Sequence, residues 1–392
     1  MRAHGRDSAA LTRTPVYSVV HPRHVYVHVP FCSRRCAYCD FSIAVRRSVP
    51  SDEYVGAVSR ELDVRFADRG EWLVDTLYLG GGTPSHLGGQ GVAHLLDALR
   101  TRLTLADDAE VTLEANPEDV DADAVRAWRD AGVNRLSIGA QSFDDAVLRW
   151  MHRTHDAATT ARAVEIARRG GLDNFSLDLI FALPESIERS WRDDVRRALD
   201  LGPSHLSLYG LTIEPHTPLG RWRARGEIRE SPDERYEEEF LYAHTTMLDA
   251  GFEHYEVSNF GRPGARARHN SSYWSGVPYA GLGPSAHEFD GRARRWNVSA
   301  YADWGRRLAD GQDPMAECEE LDDDNRAAER VYLGLRTTDG LTLSDAEVER
   351  VGPWLAAGWA NLDDDNRVTL TALGWLRLDA LATDLTLVRS HY

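Results

Sequence analysis

The chain has 392 residues, 42% of them hydrophobic, and a formal net charge of −17 at pH 7. The length predicts one large domain and a smaller one, and the acidic balance excludes broad nucleic-acid binding because a phosphate backbone would be repelled. All 45 basic residues are arginine, which excludes a phosphate-loop lysine and a Schiff-base lysine.

The first predicted element is a strand over residues 25–29, an alternating apolar run that ends at Pro30 and follows an N-terminal segment, residues 1–23. From there to Tyr209, short apolar strands alternate with amphipathic helices, as in a parallel sheet with right-handed crossovers. The further predicted strands cover residues 76–79, 111–113, 135–138, 175–180 and 205–209. The predicted helices cover about 51–68, 90–102, 121–131, 157–169 and 188–200.

Six strands are too few for a closed eight-unit barrel, and no dinucleotide fingerprint follows the first strand. The sequence therefore predicts an α/β fold, an open six-stranded (β/α)6 partial TIM barrel over residues 24–230. Polar or glycine-rich residues follow several of these strands. Since the carboxyl ends of parallel strands share one edge, we expect a single site there.

The regular alternation stops beyond residue 230. Residues 231–317 are predicted to extend the barrel, with a helix over 233–249 and a strand over 254–257. Residues 318–392 are predicted to form a small, mainly α C-terminal domain whose order of elements resembles a winged helix. Its helices are expected near 323–336, 344–351 and 372–382, with a strand over 368–371. Because the chain is acidic, we expect this domain to act as a lid or docking module rather than to read DNA.

Three of the four cysteines, Cys32, Cys36 and Cys39, lie within eight positions directly after the first strand. A disulfide framework is disfavoured because it needs paired cysteines and an oxidising compartment, and Cys318 is the only other cysteine. Structural zinc would need a fourth ligand, for which His28 is the only close candidate. A cubane held by three thiolates leaves one iron open to a small molecule. The spacing alone indicates a metal ion or a cluster.

A triglycine run, residues 80–82, follows the second strand and would let the backbone approach a ligand closely. The alternative is a tight turn. Glu114, Gln141 and Asp178 lie at or inside the ends of three further strands. Buried carboxylates need partners, so these residues favour a polar ligand with hydroxyl or ammonium groups. The alternative is that they are structural and bind backbone amides.

The spacing Cys-x3-Cys-x2-Cys, with Tyr38 before the third cysteine, resembles the signature of radical S-adenosylmethionine (SAM) enzymes. The wider string over residues 26–41 resembles the branch that contains the oxygen-independent coproporphyrinogen III oxidases and their heme-chaperone relatives. The resemblance implies a 4Fe-4S cluster on the three cysteines, which binds SAM at its open iron. It implies SAM-binding roles for Tyr26, Tyr38, Gly81, Gly82, Thr83, Glu114, Gln141, Arg153 and Asp178.

Two features separate the two activities within this branch. An oxidase has a further cysteine two positions after the third, where this chain has Phe41, and a longer N-terminal segment. The motif His-Asn-x-x-Tyr-Trp, which begins at His269, resembles that of the heme chaperones. A histidine among aromatic side chains can supply an axial nitrogen to heme iron, so His269 is the heme candidate and His287 a second one.

We therefore predict a radical SAM-family heme chaperone that binds a 4Fe-4S cluster, SAM and heme and transfers heme to acceptor hemoproteins. The alternatives are an oxygen-independent coproporphyrinogen III oxidase, which makes protoporphyrinogen IX in porphyrin biosynthesis, and a zinc-stabilised barrel without SAM chemistry. No catalytic residue is assigned, so enzyme activity stays open. A heme donor or electron donor protein is a further expected partner, and a homodimer is compatible with the sequence.

We expect a cytoplasmic protein, because no apolar run reaches membrane-spanning length and the N-terminal segment lacks the apolar core of a secretion signal. Thiols stay reduced in that compartment. Peripheral membrane contact remains compatible with these observations.

Overall fold

The structure is a computed structural model that describes residues 22–67 and 70–389. Most of the predicted N-terminal segment, residues 1–23, lies outside these ranges. No helix within them is long and apolar enough to cross a membrane.

The first strand, β1 (His24–Val29), is followed by the cysteine loop, which contains the short paired strands β2 (Phe31–Cys32) and β3 (Ala44–Val45). The three valines of β1 are fully buried in the core. Tyr26 and His28 alternate with them and face the opposite side, because side chains alternate along a strand. The opposite side is where the cavities described below lie.

Five more strands continue from β1 as one parallel array in chain order. They are β4 (Trp72–Gly81), β5 (Leu103–Ala115), β6 (Arg135–Gln141), β7 (Phe175–Phe181) and β8 (His205–Gly210). The helices between them are α1 (Ser51–Phe66), α2 (Gly88–Arg100), α3 (Ala122–Asp130), α4 (Asp145–Trp150), α5 (Ala157–Arg169) and α6 (Trp191–Asp200). Four helices of this series begin after a side chain that accepts hydrogen bonds from first-turn amides, which fixes their starts. These capping residues are Asp121, Asp144, Asp156 and Ser190.

The chain after β8 adds strands to both edges of this array and makes a mixed sheet of twelve strands. The added elements are α7 (Pro218–Ala224), α8 (Asp233–Asp249), β9 (Glu253–Glu256), β10 (Asn259–Gly261), α9 (Arg268–Trp274), β11 (Tyr279–Leu282), β12 (His287–Phe289), β13 (Ala293–Asn297), α10 (Tyr301–Ala309) and β14 (Met315–Glu320). β10 and β9 extend the sheet beyond β8, whereas β11 pairs in parallel with β1 and leads into antiparallel β12, β13 and β14.

A buried carboxylate on α1 joins this added edge to the rest of the sheet. Glu61 accepts hydrogen bonds from the Gly283 amide at 2.8 Å, the Asn297 side chain at 2.7 Å and the Trp304 indole at 3.0 Å. It also forms an ion pair with Arg65, whose Nη1 lies 2.6 Å away. Because a buried charge is tolerated only when its bonds are satisfied, this network fixes the position of the β11–β13 segment against α1.

The remaining residues form four helices and a small antiparallel sheet with strand order β15-β17-β16. They are α11 (Asp323–Arg336), β15 (Leu341–Thr342), α12 (Asp345–Ala356), β16 (Ala360–Leu362), β17 (Arg367–Leu370), α13 (Ala372–Trp375) and α14 (Leu378–Arg389). The predicted boundary at residue 318 falls inside β14, which belongs to the large sheet. The winged-helix assignment of residues 318–392 stays a prediction.

The α/β class is confirmed, and all six predicted strands are present. The sheet is nevertheless larger than predicted, because β10 to β14 are strands of only three to six residues, too short for a periodic pattern to reveal them. The shape of an open six-stranded partial barrel stays a prediction for the parallel strands. His28, which the sequence offers as the only close candidate for a fourth zinc ligand, is almost fully buried.

Candidate cofactor site and the cavity beside it

A cavity of about 450 Å³ opens at the carboxyl ends of the parallel strands, and all three loop cysteines line it. We call it the cofactor cavity. Eight of the nine residues that the sequence predicts to bind SAM line it as well, namely Tyr38, Gly81, Gly82, Thr83, Glu114, Gln141, Arg153 and Asp178. The ninth, Tyr26, lines an adjoining cavity instead. The shared sheet edge therefore brings together residues that are up to 146 positions apart in the chain.

The three cysteines are free, and their sulfurs receive contacts from the cavity wall. The Thr83 hydroxyl donates to Cys32 Sγ at 3.3 Å, and Arg153 Nη1 donates to Cys36 Sγ at 3.5 Å. Both contacts favour a thiolate, although burial raises the pKa of the Cys32 thiol to about 11. Cubane ligands each bind a different iron, so they surround a volume rather than meet at one point. Three cysteines around one cavity fit that requirement.

Within the described ranges, no set of three or more His, Cys, Asp or Glu side chains is arranged to hold a single metal ion. Two further contacts fix Arg153, whose Nη2 donates to Asn116 Oδ1 at 2.6 Å and to the Gly139 carbonyl at 3.0 Å. Its Nε is buried and has no partner in the described part of the chain. A fixed, partly buried guanidinium with an unpaired N–H suits a carboxylate ligand.

The triglycine run packs against β1 at very short range. A Cβ on Gly81 would lie 2.6 Å from the His28 ring, and one on Gly82 would lie 2.7 Å from the Pro30 backbone. Gly81 also has a φ of +110°, a backbone angle that residues other than glycine rarely adopt. The protein's own packing therefore requires glycine at these positions, in addition to any ligand contact.

Glu114 is partly buried at the end of β5, beside the triglycine run. It accepts hydrogen bonds from the Tyr78 hydroxyl at 2.8 Å and from the Gly81 amide at 3.0 Å. Burial nevertheless raises the pKa of its carboxyl to about 7. A carboxyl poised near neutrality can become a full anion when a cationic ligand group arrives.

Asp178 on β7 is also partly buried, and its removal from water raises the pKa of its carboxyl. It accepts hydrogen bonds from Ser137 Oγ at 3.0 Å and Ser176 Oγ at 3.2 Å. Gln141 ends β6 with a φ of +66°, an unusual conformation for a non-glycine residue that directs its side chain to the cavity. Asn116 and Ser137 also line the cofactor cavity but were not predicted to do so. Ser137 lies inside the predicted strand over 135–138, and Asn116 lies three positions after the predicted strand over 111–113.

A second cavity, of about 640 Å³, adjoins the first. We call it the aromatic cavity, because its walls include Tyr26, Phe41, Tyr273, Trp274, Tyr279 and Phe289. Four residues line both cavities, namely Asp40, Phe41, Gly81 and Glu114. The two cavities therefore share a wall. This volume lies within the range of sites that hold small molecules and cofactors.

His269, the predicted heme candidate, does not line the aromatic cavity and is only 1% exposed. Its backbone amide donates to Glu110, and its ring nitrogens are hydrogen-bonded to Thr76 Oγ1 at 2.7 Å and to the Tyr273 hydroxyl at 2.8 Å. Burial lowers the pKa of the imidazole to about 3. In this geometry both nitrogens are engaged, so an axial role for His269 requires breaking at least one of these bonds. Its motif instead brings Tyr273 and Trp274 to the cavity wall.

His287, the second candidate, lines the aromatic cavity from β12 and is exposed to it. Its ring stacks on Trp296 of β13, with centroids 5.5 Å apart and planes inclined by 24°. The sequence offers His287 only as the second heme candidate, since it lies outside the His-Asn-x-x-Tyr-Trp motif.

Comparison with known proteins identifies the family of the chain. The model of the Radical SAM superfamily matches residues 26–198. The heme chaperone HemW of Mycobacterium tuberculosis is 38% identical over 370 residues, which cover 93% of this chain and 95% of that protein. The chain belongs to the HemW heme chaperone family. The Escherichia coli HemW is 42% identical over 269 residues, which cover 68% of this chain and 70% of that protein. The family resemblance seen in the sequence is thereby confirmed.

Among solved structures, the coproporphyrinogen III oxidase HemN from Escherichia coli has the same fold, with a TM-score of 0.79. The match covers 93% of this chain and 90% of that chain, at 22% sequence identity. At this identity the likeness concerns the fold alone.

Proposed function

We propose that the protein is a heme chaperone that carries a 4Fe-4S cluster on Cys32, Cys36 and Cys39, binds SAM beside it, and transfers heme to acceptor hemoproteins. The observation that carries the proposal is the pair of cavities with a common wall, one lined by three cysteines and the other by aromatic side chains. Aromatic walls suit a flat macrocycle, because ring faces bury large apolar areas.

The residues of the cofactor cavity would divide the work of holding SAM. Arg153 would clamp the carboxylate through its unpaired N–H, Glu114 would accept the ammonium group, and Asp178 would accept ribose hydroxyls. Gly81, Gly82 and Thr83 would border the methionine portion, with Tyr38 and Gln141 closing the pocket. Tyr26 would contribute from the aromatic cavity, through the shared wall. A cluster bound to the three cysteines would, when reduced, supply an electron for SAM cleavage, and these residues would orient the ligand and exclude water.

Phe41 favours the chaperone over an oxidase. It occupies the position where the oxidase branch carries a further cysteine, and its side chain is 60% exposed and lines both cavities. A phenylalanine there adds apolar contact area for a macrocycle but cannot bind a metal ion.

The C-terminal region, residues 318–392, would act as a lid or docking module. Two residues of α11, Glu329 and Leu333, line the aromatic cavity. A region that closes one side of a ligand cavity is well placed to meet an acceptor hemoprotein. Reduced thiols further suit a cytoplasmic location.

Cluster binding is tested by anaerobic reconstitution of the full chain, with iron and sulfide measured against protein. Cys36→Ser is expected to lose the cluster absorption and most of the iron. Cys318→Ser is the matched control, since this exposed cysteine lies on β14 and outside both cavities, and it should retain both. A colourless wild-type protein without iron and sulfide, or equal loading of both variants, would overturn the proposal.

Heme transfer is tested on the same reconstituted sample. We expect the protein to take up heme and to pass it to an apo-hemoprotein, measured as recovery of the acceptor's absorption spectrum. In a parallel assay with coproporphyrinogen III, SAM and a reductant, we expect no protoporphyrinogen IX. Product formation without heme transfer would favour the oxidase instead.

A further inference from the structure

We propose that His287 is the axial ligand of an iron porphyrin bound in the aromatic cavity, and that Arg294 holds one of its propionates. This inference rests on the proposed heme binding and deepens it, because it assigns the binding residues. It moves the iron ligand from the His-Asn-x-x-Tyr-Trp motif to the β12–β13 hairpin.

The hairpin presents its functional side chains on one face. In the antiparallel pairing of β12 with β13, His287 lies opposite Trp296 and Phe289 lies opposite Arg294. Residues two apart on a strand share a face, so these four side chains form two adjacent rows about 7 Å apart. His287, Phe289 and Arg294 all line the aromatic cavity. The proposed metal ligand, His287, and the cation, Arg294, therefore lie one row apart on the same hairpin.

The His287 ring is both available and oriented. Among the described residues, neither of its ring nitrogens has a hydrogen-bond partner, and its stacking on Trp296 restricts the ring to one plane. Burial lowers the pKa of the His287 imidazole, and the positive charge of Arg294 lowers it further. Both effects favour the neutral imidazole, which is the form that binds iron. The other histidine that lines this cavity within the described ranges, His28, is hydrogen-bonded at both ring nitrogens, to the Tyr26 hydroxyl at 3.1 Å and the Ser42 carbonyl at 3.0 Å.

Arg294 is paired with a carboxylate of the protein itself. It forms an ion pair with Glu329 of α11, which also lines the cavity. Its guanidinium lies 5.9 Å from the centroid of the Phe289 ring. A propionate presents the same chemical group as Glu329, so it can replace that carboxylate on Arg294. Because Glu329 belongs to the C-terminal region, this exchange would release a contact between α11 and the hairpin.

The first test titrates hemin into the anaerobic, cluster-loaded full chain and records difference spectra against the heme-free holoprotein. His287→Ala is expected to raise the Kd by about tenfold or more and to remove the spectrum of histidine-ligated heme. Added imidazole should restore that spectrum in the variant, which a purely structural defect would not allow. His94→Ala, a change of an exposed histidine on α2, should behave as wild type.

The outcomes separate the inference from the proposed function. Absence of hemin binding by wild type would overturn both. Normal binding by wild type and by His287→Ala, with loss of the ligand spectrum only in His269→Ala, would overturn the inference and leave the heme chaperone intact. If His287→Ala loses the cluster as well, His287→Gln is measured at matched cluster content, and an unchanged heme spectrum there also overturns the assignment.

The second test separates the propionate contact from the iron ligand. Arg294→Gln should weaken hemin binding by about tenfold but should leave binding of the iron porphyrin dimethyl ester unchanged, since esters carry no anionic carboxylate. Glu329→Gln should tighten hemin binding, because it removes the competing carboxylate. Equal losses for hemin and the ester in Arg294→Gln, or no gain in Glu329→Gln, would contradict a propionate at Arg294.

Discussion

Glu114 predicts how the stability of the cluster-free protein depends on pH. Burial raises the pKa of its carboxyl from 4.5 to about 7, although hydrogen bonds from Tyr78 and the Gly81 amide favour the ionised form. A shift of this size corresponds to about 3 kcal/mol. Because the pKa is higher in the folded protein than in the unfolded chain, protonation of this carboxyl stabilises the folded state. This contribution to the free energy of unfolding is complete below pH 4.5 and is lost as the pH rises to about 7.

The substitution Glu114→Gln isolates this contribution, since glutamine does not ionise. The free energy of unfolding of the variant, minus that of wild type, should increase by about 2 kcal/mol between about pH 5.5 and 8. Urea unfolding of both proteins at a series of pH values measures this difference, and the subtraction removes the other titrating groups. Glu165→Gln, a change of an exposed residue on α5, is the matched control and should give a constant difference.

A difference between Glu114→Gln and wild type that stays constant over this pH range would refute the raised pKa. The same variant tests the role of the carboxylate in binding. SAM affinity of the reconstituted variant, measured by equilibrium dialysis, should fall by about tenfold, because a neutral amide attracts an ammonium group less strongly. Unchanged affinity would show that Glu114 is structural.

Two further substitutions test the site and its support. Glu61→Ala should lower the free energy of unfolding by about 3–5 kcal/mol, because it removes one of the two carboxylates that pair with buried Arg65 and the acceptor of the Trp304 indole. Asp63→Ala on the exposed side of α1 should change the free energy of unfolding by less than about 0.5 kcal/mol, and equal urea midpoints would contradict the role of this network. Arg153→Lys should retain the cluster absorption and bind SAM about tenfold more weakly, since lysine cannot form the forked contacts, and Arg149→Lys on the surface of α4 should match wild type in the same dialysis.

The parallel part of the fold could be predicted because its pattern is local. The six parallel strands each contain a short apolar run, and the helices between them show apolar faces and capping residues such as Asp121. The predicted helix over 233–249 matches α8 residue for residue. The position of the cofactor cavity could be predicted from two observations. The carboxyl ends of parallel strands share one edge of the sheet, and the three cysteines have a specific spacing.

The aromatic cavity could not be predicted, because its walls depend on long-range pairing. β11 and β12 are four and three residues long, and no periodicity in so short a run fixes its partner. The burial of His269 could not be predicted from the sequence either. The His269 ring is hydrogen-bonded to Thr76 of β4 and to Tyr273 of its own helix, α9, and the pattern of the motif does not reveal these contacts.

The pairing of β1 with β11 has a consequence for biosynthesis. β1 leaves the ribosome among the first elements, yet one of its two neighbours begins at Tyr279, some 250 positions later. Until then a nascent chain carries an unpaired, valine-rich edge next to its cysteine loop, and such edges recruit other chains. A fragment that ends near residue 230 should therefore aggregate when expressed alone, and synthesis of the last third of the protein completes the protection of the first.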